Sequence, residues 1–341
     1  MNSFLRKSFA DQILARAIGP LTVVGVTGLE PGTSTMSRWR SNQLSYTPES
    51  DRQPTCVGAA HSDAARPRQQ CENADMKKLT LKDLRAAKGN TPLVQVFVRT
   101  PQEAAACEEA GIDMLVAAEL HEGKSSDYAG IRKAAPNTFL TIGIAVGTYA
   151  GDVEALRAAY RMMNHGADAI YCGYGFGTVK ALADEYVPVV GHVGLVPYRN
   201  SWFGGMKAVG KTSAEALEIW RLTKRYEEAG AFAVEMEVVP TPVATEITKR
   251  TSMLVVGMGA GPHCDVQYLF STDVLGDNDG HIPRHSKVYR DFKTEYARLY
   301  RESVGAFGEL KNDVRSGAYP AANHEVTIAD NELKAFMKGL G

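Results

Sequence analysis

The sequence predicts a single closed (β/α)8 barrel, and three observations support that fold class. From Pro92 onward, short runs rich in Val and Ile alternate with amphipathic helical stretches, a pattern typical of parallel strands joined by crossover helices. Eight such runs can be counted, and the first is not followed by the G-x-G-x-x-G turn of an open dinucleotide-binding sheet. The stretch from residue 76 to residue 341 also matches the ~250 residues of one barrel domain.

The predicted elements follow from these runs in chain order. Strands are expected at residues 93–98, 113–118, 139–146, 169–173, 187–195, 232–239, 253–259 and 268–275. Helices are expected at 101–110, 152–165, 213–229 with Ser213 as N-cap, and 242–250, and two more at 289–304 and 327–338 close the chain. The glycines of GYGFG (Gly173, Gly175 and Gly177) lack the dinucleotide-binding spacing and predict a flexible βα loop.

Residues 1–75 differ from the rest of the chain. They hold no period of 2 or 3.6 beyond a turn or two, so we expect a disordered leader or a segment absent from the native protein. A targeting peptide is the alternative for residues 1–16, but Asp11 interrupts it and no small-residue cleavage site follows an apolar core. The folded unit should begin near Met76, where Thr80 can start a helix that presents Leu81 and Leu84 on one face.

The overall composition argues against several classes of protein. The 38 basic and 39 acidic residues give a net charge of −1, which disfavours a nucleic-acid-binding protein. The five cysteines are odd in number and include no C-x-x-C, so neither a disulfide framework nor a zinc knuckle is expected and the cytoplasm is the predicted compartment. No apolar run reaches the ~18 residues of a membrane span, so no membrane association is expected.

The reactive groups of such barrels lie at the C-terminal ends of the strands, which narrows the search for a site. The candidates at these ends are Glu119 and His121 after the second strand, Tyr149 after the third, Tyr171 in the fourth, His192 in the fifth, Glu235 and Glu237 in the sixth, and GMGAGPHCD after the seventh.

Glu235 and Glu237 are two residues apart, so on a strand both side chains should point to the same side. A carboxylate that faces a dry pocket has a raised pKa, which suits a general base that removes a proton beside a carbonyl. The alternative is a pair of buried acids held in salt bridges by Lys207 or Arg221.

Two further candidates also allow a purely structural interpretation. His192 can be a core histidine bonded to a backbone carbonyl rather than a site residue. The glycines of GMGAG can offer backbone N–H groups to an anion, or can simply permit a tight turn.

Several segments together resemble one enzyme family in order and spacing. They are MKKLTLKDLRAAKG, AGIDMLV, GHVGLVPYRNSWFGGMKAVGKT, GAFAVEMEVVP, ITKRT, VVGMGAGPHCDVQYLFSTDVLG and DGHIPRHSKVY. Over residues 76–289 the chain resembles ketopantoate hydroxymethyltransferase (3-methyl-2-oxobutanoate hydroxymethyltransferase). The resemblance implies a barrel of the phosphoenolpyruvate mutase and isocitrate lyase superfamily, a homo-oligomer, and the first committed step of pantothenate synthesis.

The resemblance also implies a mechanism and its residues. In the family Mg²⁺ holds the 2-oxoacid, a base removes the C3 proton, and the enolate attacks the methylene of methylenetetrahydrofolate to give 2-dehydropantoate. The family's base, the Glu of Leu-Glu-x-Val-Pro, falls on Glu237, and the His of Gly-His-x-Gly-Leu falls on His192. The substrate contacts are then expected at His192, Glu119 and Tyr171, with Glu119 also as metal ligand.

The chain departs from the family at the metal site. Gly143 and Gly173 stand where the family has acids, and Tyr171 stands where it has a lysine. Only Glu119 is left to bind Mg²⁺, so weak binding of that ion is predicted.

Two replacements are possible on physical grounds. One is a transition-metal site built from Glu119, His121, His192 and Glu235. The other is a metal-free pocket in which Tyr171, Tyr174 and His192 stabilise the enolate by hydrogen bonds. Three functions stay open: the hydroxymethyltransferase, a C–C lyase or mutase acting on another 2-oxoacid, and a non-catalytic paralogue.

Overall fold

The strands of the protein close into a parallel barrel in sequence order, with β8 paired to β1. The computed structural model describes residues 78–119 and 126–341. The strands are β1 (Leu93–Phe97), β2 (Met114–Ala118), β3 (Phe139–Gly143), β4 (Ala169–Tyr171), β5 (Val189–Gly194), β6 (Ala233–Glu237), β7 (Leu254–Met258) and β8 (Val266–Phe270). The predicted fold class is therefore confirmed, whereas residues 1–75 and His121 lie outside the described residues.

Helices surround most of the barrel. Ahead of the strands lies α1 (Leu81–Ala87), and the connecting helices are α2 (Pro101–Glu109), α3 (Tyr128–Ala134), α4 (Asp152–Asn164), α5 (Phe176–Asp184), α6 (Ser213–Glu228) and α7 (Thr241–Thr248). Two 3₁₀ segments (Pro197–Phe203 and Ala322–His324) interrupt the later loops, and the chain ends with α8 (Ser271–Leu275), α9 (Phe292–Ser316) and α10 (Asp330–Gly339). The described segment between β7 and β8 contains no helix.

Side-chain caps determine where the helices begin. The hydroxyl of Thr80 accepts from Asp83 N, and the Asp83 carboxylate accepts from Thr80 N, as the start predicted at Thr80 requires. For α6 the cap is Thr212 and not the predicted Ser213. Thr212 has an extended backbone and exchanges the same two hydrogen bonds with Glu215, while Ser213 is already helical.

The predicted bounds of the C-terminal elements were wrong. Strand β8 starts earlier than predicted, at Val266, because it pairs residue by residue with β1, and the chain turns into α8 at Ser271. Helix α9 begins later, at Phe292, because the Asp291 side chain accepts from Thr294 N, and it continues beyond residue 304 to Ser316. The glycines of GYGFG are also not a simple loop, since Gly177 lies within α5.

The interior of the barrel contains polar side chains among the apolar ones. Alternate strand residues such as Met114, Phe139 and Val256 face inward and pack together, while their neighbours pack against the helices. By the same alternation the inward-facing polar residues are Gln95, Thr141, Tyr171, His192, Glu235, Glu237 and Tyr268. A buried polar group needs a partner, so this interior is the natural place to look for a site.

Helices α9 and α10 bury no side chain of their own. None of the helices in the described ranges is both long and apolar enough to cross a membrane. Cys107, Cys172 and Cys264 are free thiols, and burial raises the pKa of each to about 11.

Candidate active site

Glu237 is the last residue of β6, and the backbone around it is tightly fixed. Its carbonyl accepts from Leu195 N at 2.8 Å, and the next residue, Val238, donates its N–H to Met258 O at 2.7 Å. Gly194, at the end of β5, has φ +85°, and a Cβ there would overlap the Glu237 carbonyl oxygen. Val238 has φ +51°, which is strained for a β-branched residue. The turn after β6 therefore holds Glu237 in one position.

Glu237 lies beside His192 and Glu235 in the barrel interior. The His192 Nε2 atom is 3.1 Å from Glu237 Oε2 and 3.8 Å from Glu235 Oε2. The three side chains are 12%, 8% and 5% exposed, respectively. Burial, and then the charge of Glu237, raise the pKa of Glu235 well above its usual value. The predicted common direction of the two glutamates is confirmed.

The alternative in which a lysine or arginine neutralises these acids is not found among the described residues. The ion pairs of Glu235 and Glu237 involve His192 alone, and Arg221 contacts Glu218 instead, at 3.5 Å. A core histidine bonded to a backbone carbonyl is also not what the geometry shows for His192, because its Nε2 faces the two carboxylates.

Tyr171 is the last residue of β4 and lies next to His192. Its ring meets the His192 imidazole edge-on, with 6.1 Å between the ring centroids. The Tyr171 hydroxyl is buried and has no hydrogen-bond partner among the described residues. Such an orphaned donor can bind an oxygen atom of a ligand.

Glu119 belongs to a different network, against the loop that follows β3. Its carboxylate accepts from the Tyr149 hydroxyl at 2.5 Å and from Ala145 N at 3.3 Å, and Arg161 lies 4.0 Å away. Burial, and then the hydrogen bond to Glu119, raise the pKa of Tyr149 to about 12. Among the described residues, Glu119 is not grouped with His192 and Glu235, and His121, the fourth member of the predicted ligand set, lies outside them.

The residues at the family's metal positions do not fit Mg²⁺. A Cβ at Gly173 would lie 2.6 Å from Val146, so this position has no space for an acidic side chain as the neighbouring residues stand. Gly143 offers no ligand, and Glu119 already accepts from two donors. Among the described residues, one group of His, Cys, Asp and Glu side chains could hold an ion together: His192, Glu235 and Glu237, whose ligand atoms lie within 4.8 Å of one another.

A cavity of about 900 Å³ opens beside Glu237 at this end of the barrel. The basic side chains in its lining are those of Lys207, Lys211, Arg284 and the histidines His281 and His285. None of these five was predicted as a site residue. They come from loops after β5 and β8, and the only signal for them was that they lie within segments shared with the family.

His285 lines the cavity, and its pKa responds to the charge of Glu237. Its imidazole packs over Gly259, which has φ +67°, so a side chain at Gly259 would displace the ring. Burial lowers the pKa of His285, and the charges of Glu237 and Asp273 oppose that shift. A second titratable group therefore faces the same cavity as Glu237.

Comparison with known proteins shows which enzyme family the chain belongs to. The family model described as ketopantoate hydroxymethyltransferase matches residues 124–322. The chain belongs to the ketopantoate hydroxymethyltransferase family. Its relatives include proteins named 3-methyl-2-oxobutanoate hydroxymethyltransferase from Thermus thermophilus, 35% identical over 72% of this chain and 98% of the relative, and from Thermotoga neapolitana, 31% identical over 73% and 97%.

Among solved structures, the chain is similar to phosphonopyruvate hydrolase in complex with oxalate and Mg²⁺, with a TM-score of 0.42 and 16% identity over 77% of this chain and 97% of that one. The family model and the relatives above confirm the resemblance to the ketopantoate hydroxymethyltransferase family that the sequence indicated, while the roles of Glu237, His192, Glu119 and Tyr171 stay predictions.

Proposed function

We propose that this chain transfers a hydroxymethyl group from methylenetetrahydrofolate to 3-methyl-2-oxobutanoate, giving 2-dehydropantoate. Family membership supports the reaction, and one observation carries the assignment of the site. Glu237 ends β6 at the wall of the cavity and lies 3.1 Å from an imidazole. A carboxylate so placed can reach a substrate proton from a largely dry site.

Glu237 is the proposed general base. The C3–H bond of the 2-oxoacid breaks, the proton passes to a Glu237 oxygen, and the electron pair forms the enolate across C2 and C3. C3 then forms a bond to the methylene carbon as the first of its two C–N bonds to the folate breaks, and water supplies the hydroxyl as the second C–N bond breaks. The two folate nitrogens take up the proton removed from C3 and the remaining proton of the water. His192 and Tyr171 are proposed to donate hydrogen bonds to the substrate oxygens, since the imidazole and the orphaned hydroxyl lie at the same end of the barrel.

The substrate carboxylate needs positive charge, and Tyr171 cannot supply it in place of the family's lysine. Lys207, Lys211 and Arg284 line the cavity with Glu237, so we propose that they bind the anionic groups of the 2-oxoacid and of the folate. The proposal gives no role at the reacting carbon to Glu119, whose carboxylate is held by Tyr149 and Ala145.

The direct test is turnover of the two substrates by the purified protein. We expect 2-dehydropantoate in the presence of both, and exchange of the C3 proton of 3-methyl-2-oxobutanoate with D₂O even without folate. A second candidate is a C–C lyase or mutase on another 2-oxoacid, favoured by the replacement of the family's residues at Gly143, Tyr171 and Gly173. Cleavage of a different 2-oxoacid without C3 exchange would favour it, and no reaction at all would favour a non-catalytic paralogue.

We propose that the chain forms homo-oligomers in the cytoplasm. The described cysteines are unpaired, which supports a reducing compartment. Helix α9 exposes a row of apolar side chains, with Tyr300 and Phe307 each 71% exposed and Val304 55% exposed. A contiguous apolar surface of this kind usually marks a contact with another chain.

Tyr300→Glu combined with Phe307→Glu should lower the mass measured by light scattering, because two charges would enter the contact. Glu309→Lys, on the opposite side of the same helix, is the control and should leave the mass unchanged. An oligomer that persists in the double variant would place the contact elsewhere.

A further inference from the structure

Two carboxylates and one imidazole converge in the barrel interior, and no lysine or arginine of residues 78–119 or 126–341 forms an ion pair with them. The ligand atoms of His192, Glu235 and Glu237 all lie within 4.8 Å of one another, with 3.1 Å and 3.8 Å from Nε2 to the nearer carboxylate oxygens. Ligands about 2.1 Å from one ion are about 3 to 4 Å from each other, so these separations suit a shared ion.

The burial of Glu235 is the second observation that points to a ligand. Its side chain is 5% exposed, and the one ion-pair partner that it has among the described residues is the His192 imidazole, with Nε2 at 3.8 Å. Other inward-facing atoms of the described barrel also lack partners, namely Gln95 Nε2, Thr141 Oγ1 and Tyr171 OH. Unpaired buried polar atoms are costly, and of these three the Tyr171 hydroxyl lies next to His192, where water bound to an ion can accept its hydrogen bond.

We propose that His192, Glu235 and Glu237 bind one divalent transition-metal ion of the Mn²⁺, Co²⁺ or Zn²⁺ class. Imidazole nitrogen suits these ions, whereas Mg²⁺ prefers carboxylate and water oxygens. The ligands of the ion therefore come from strands β5 and β6. They do not come from β2, β3 and β4, where the family's metal ligands are missing in this chain. A bound ion would offset the cost of burying the Glu235 and Glu237 carboxylates beside a single imidazole.

A metal ion at this site is compatible with Glu237 as the general base. This compatibility is the one part of the inference that rests on the proposed function. Glu237 is the only one of the three ligands that lines the cavity. Glu237 would be the ligand that can exchange for a substrate oxygen, which would free its carboxylate to take the C3 proton. With the ion held by Glu235 and His192, the hydrogen bond to the substrate oxygens would come from Tyr171 alone, in place of the donation from His192 proposed above.

The test uses the full chain, stripped with a chelator and titrated separately with Co²⁺, Mn²⁺, Zn²⁺ and Mg²⁺. Equilibrium dialysis should give one Co²⁺ per chain, and the visible absorption of Co²⁺ should report a nitrogen ligand. Glu235→Gln should weaken Co²⁺ binding by about 100-fold or more, because even the loss of a supporting contact costs about 10- to 100-fold. Glu119→Gln is the matched control and should change the affinity less than twofold, while Mg²⁺ should not compete.

The metal-free Glu235→Gln variant separates binding from folding. It removes one of two adjacent buried acids, so it should melt at or above the wild-type temperature without metal and lose the rise that Co²⁺ causes in the wild type. The proposal is overturned if Co²⁺ fails to bind, if binding survives Glu235→Gln, or if Glu119→Gln abolishes it. If Co²⁺ binds but the C3 proton of the 2-oxoacid does not exchange, the proposed function alone is contradicted. If the chelated protein catalyses this exchange and binds no Co²⁺, the metal site alone is contradicted.

Discussion

Glu237→Gln is expected to reduce exchange of the C3 proton of 3-methyl-2-oxobutanoate by about 100- to 10,000-fold, the usual contribution of a general base. Glutamine keeps the size of the side chain but cannot take a proton. The fold should survive, because the Glu237 backbone is held by Leu195 and its side chain contacts His192 rather than a lysine or arginine. The measurement is the rate of deuterium incorporation in D₂O, followed by NMR, with melting temperatures recorded in parallel.

Glu235→Gln is the comparison for this experiment. Glu235 faces the same interior but does not line the cavity. The Glu235→Gln substitution should therefore lower the exchange rate of the C3 proton less than Glu237→Gln does. Exchange lost in Glu235→Gln but kept in Glu237→Gln would show that the deeper carboxylate is the base.

Gly194→Ala is expected to destabilise folding by about 2 to 5 kcal/mol. The left-handed backbone at φ +85° costs an alanine ~1–2 kcal/mol. The added Cβ would also overlap the Glu237 carbonyl oxygen and approach the side chain of Val239, and overpacking of this kind typically costs ~1–3 kcal/mol. Because β5 and β6 must separate to relieve the overlap, C3 exchange should fall as well. Urea unfolding measures the first effect.

Gly111→Ala supplies the matched control. Gly111 has φ +75° but a Cβ there would meet no atom within 4 Å, so only the backbone cost of ~1–2 kcal/mol is expected. If the two variants lose the same stability, the contact between Gly194 and Glu237 contributes nothing and the position of Glu237 is not fixed by this packing.

The barrel was predictable because most of its strands, such as β2, β3, β6 and β7, are buried on both faces, which leaves apolar runs that stand out between helices. The direction of Glu235 and Glu237 was predictable for a related reason, since a period of two fixes the side of a strand on which each residue lies. The end of strand β8 could not be predicted in this way. Its bounds follow from pairing with β1, and no local sequence pattern records that pairing.

The composition of the site was only partly predictable. His192 and Glu235 meet as one of the interpretations suggested, but Glu119 turns away to Tyr149 because that hydroxyl lies in the loop after β3. Lys207 and Arg284 are far apart in sequence and are brought to one cavity by loops. Loop paths depend on tertiary packing, so a search along the strands alone could not have found these cations.

Two buried thiols can be used to measure local opening of the barrel. Cys172 directly follows Tyr171 and Cys264 lies between β7 and β8, and both are covered and protonated at neutral pH. A maleimide can react with either thiol only while the surrounding structure is open, so alkylation rates would measure local unfolding at two points of the barrel. With Cys56, Cys71 and Cys107 changed to serine, slower labelling at Cys172 when the 2-oxoacid is added would reveal that substrate closes this end of the barrel.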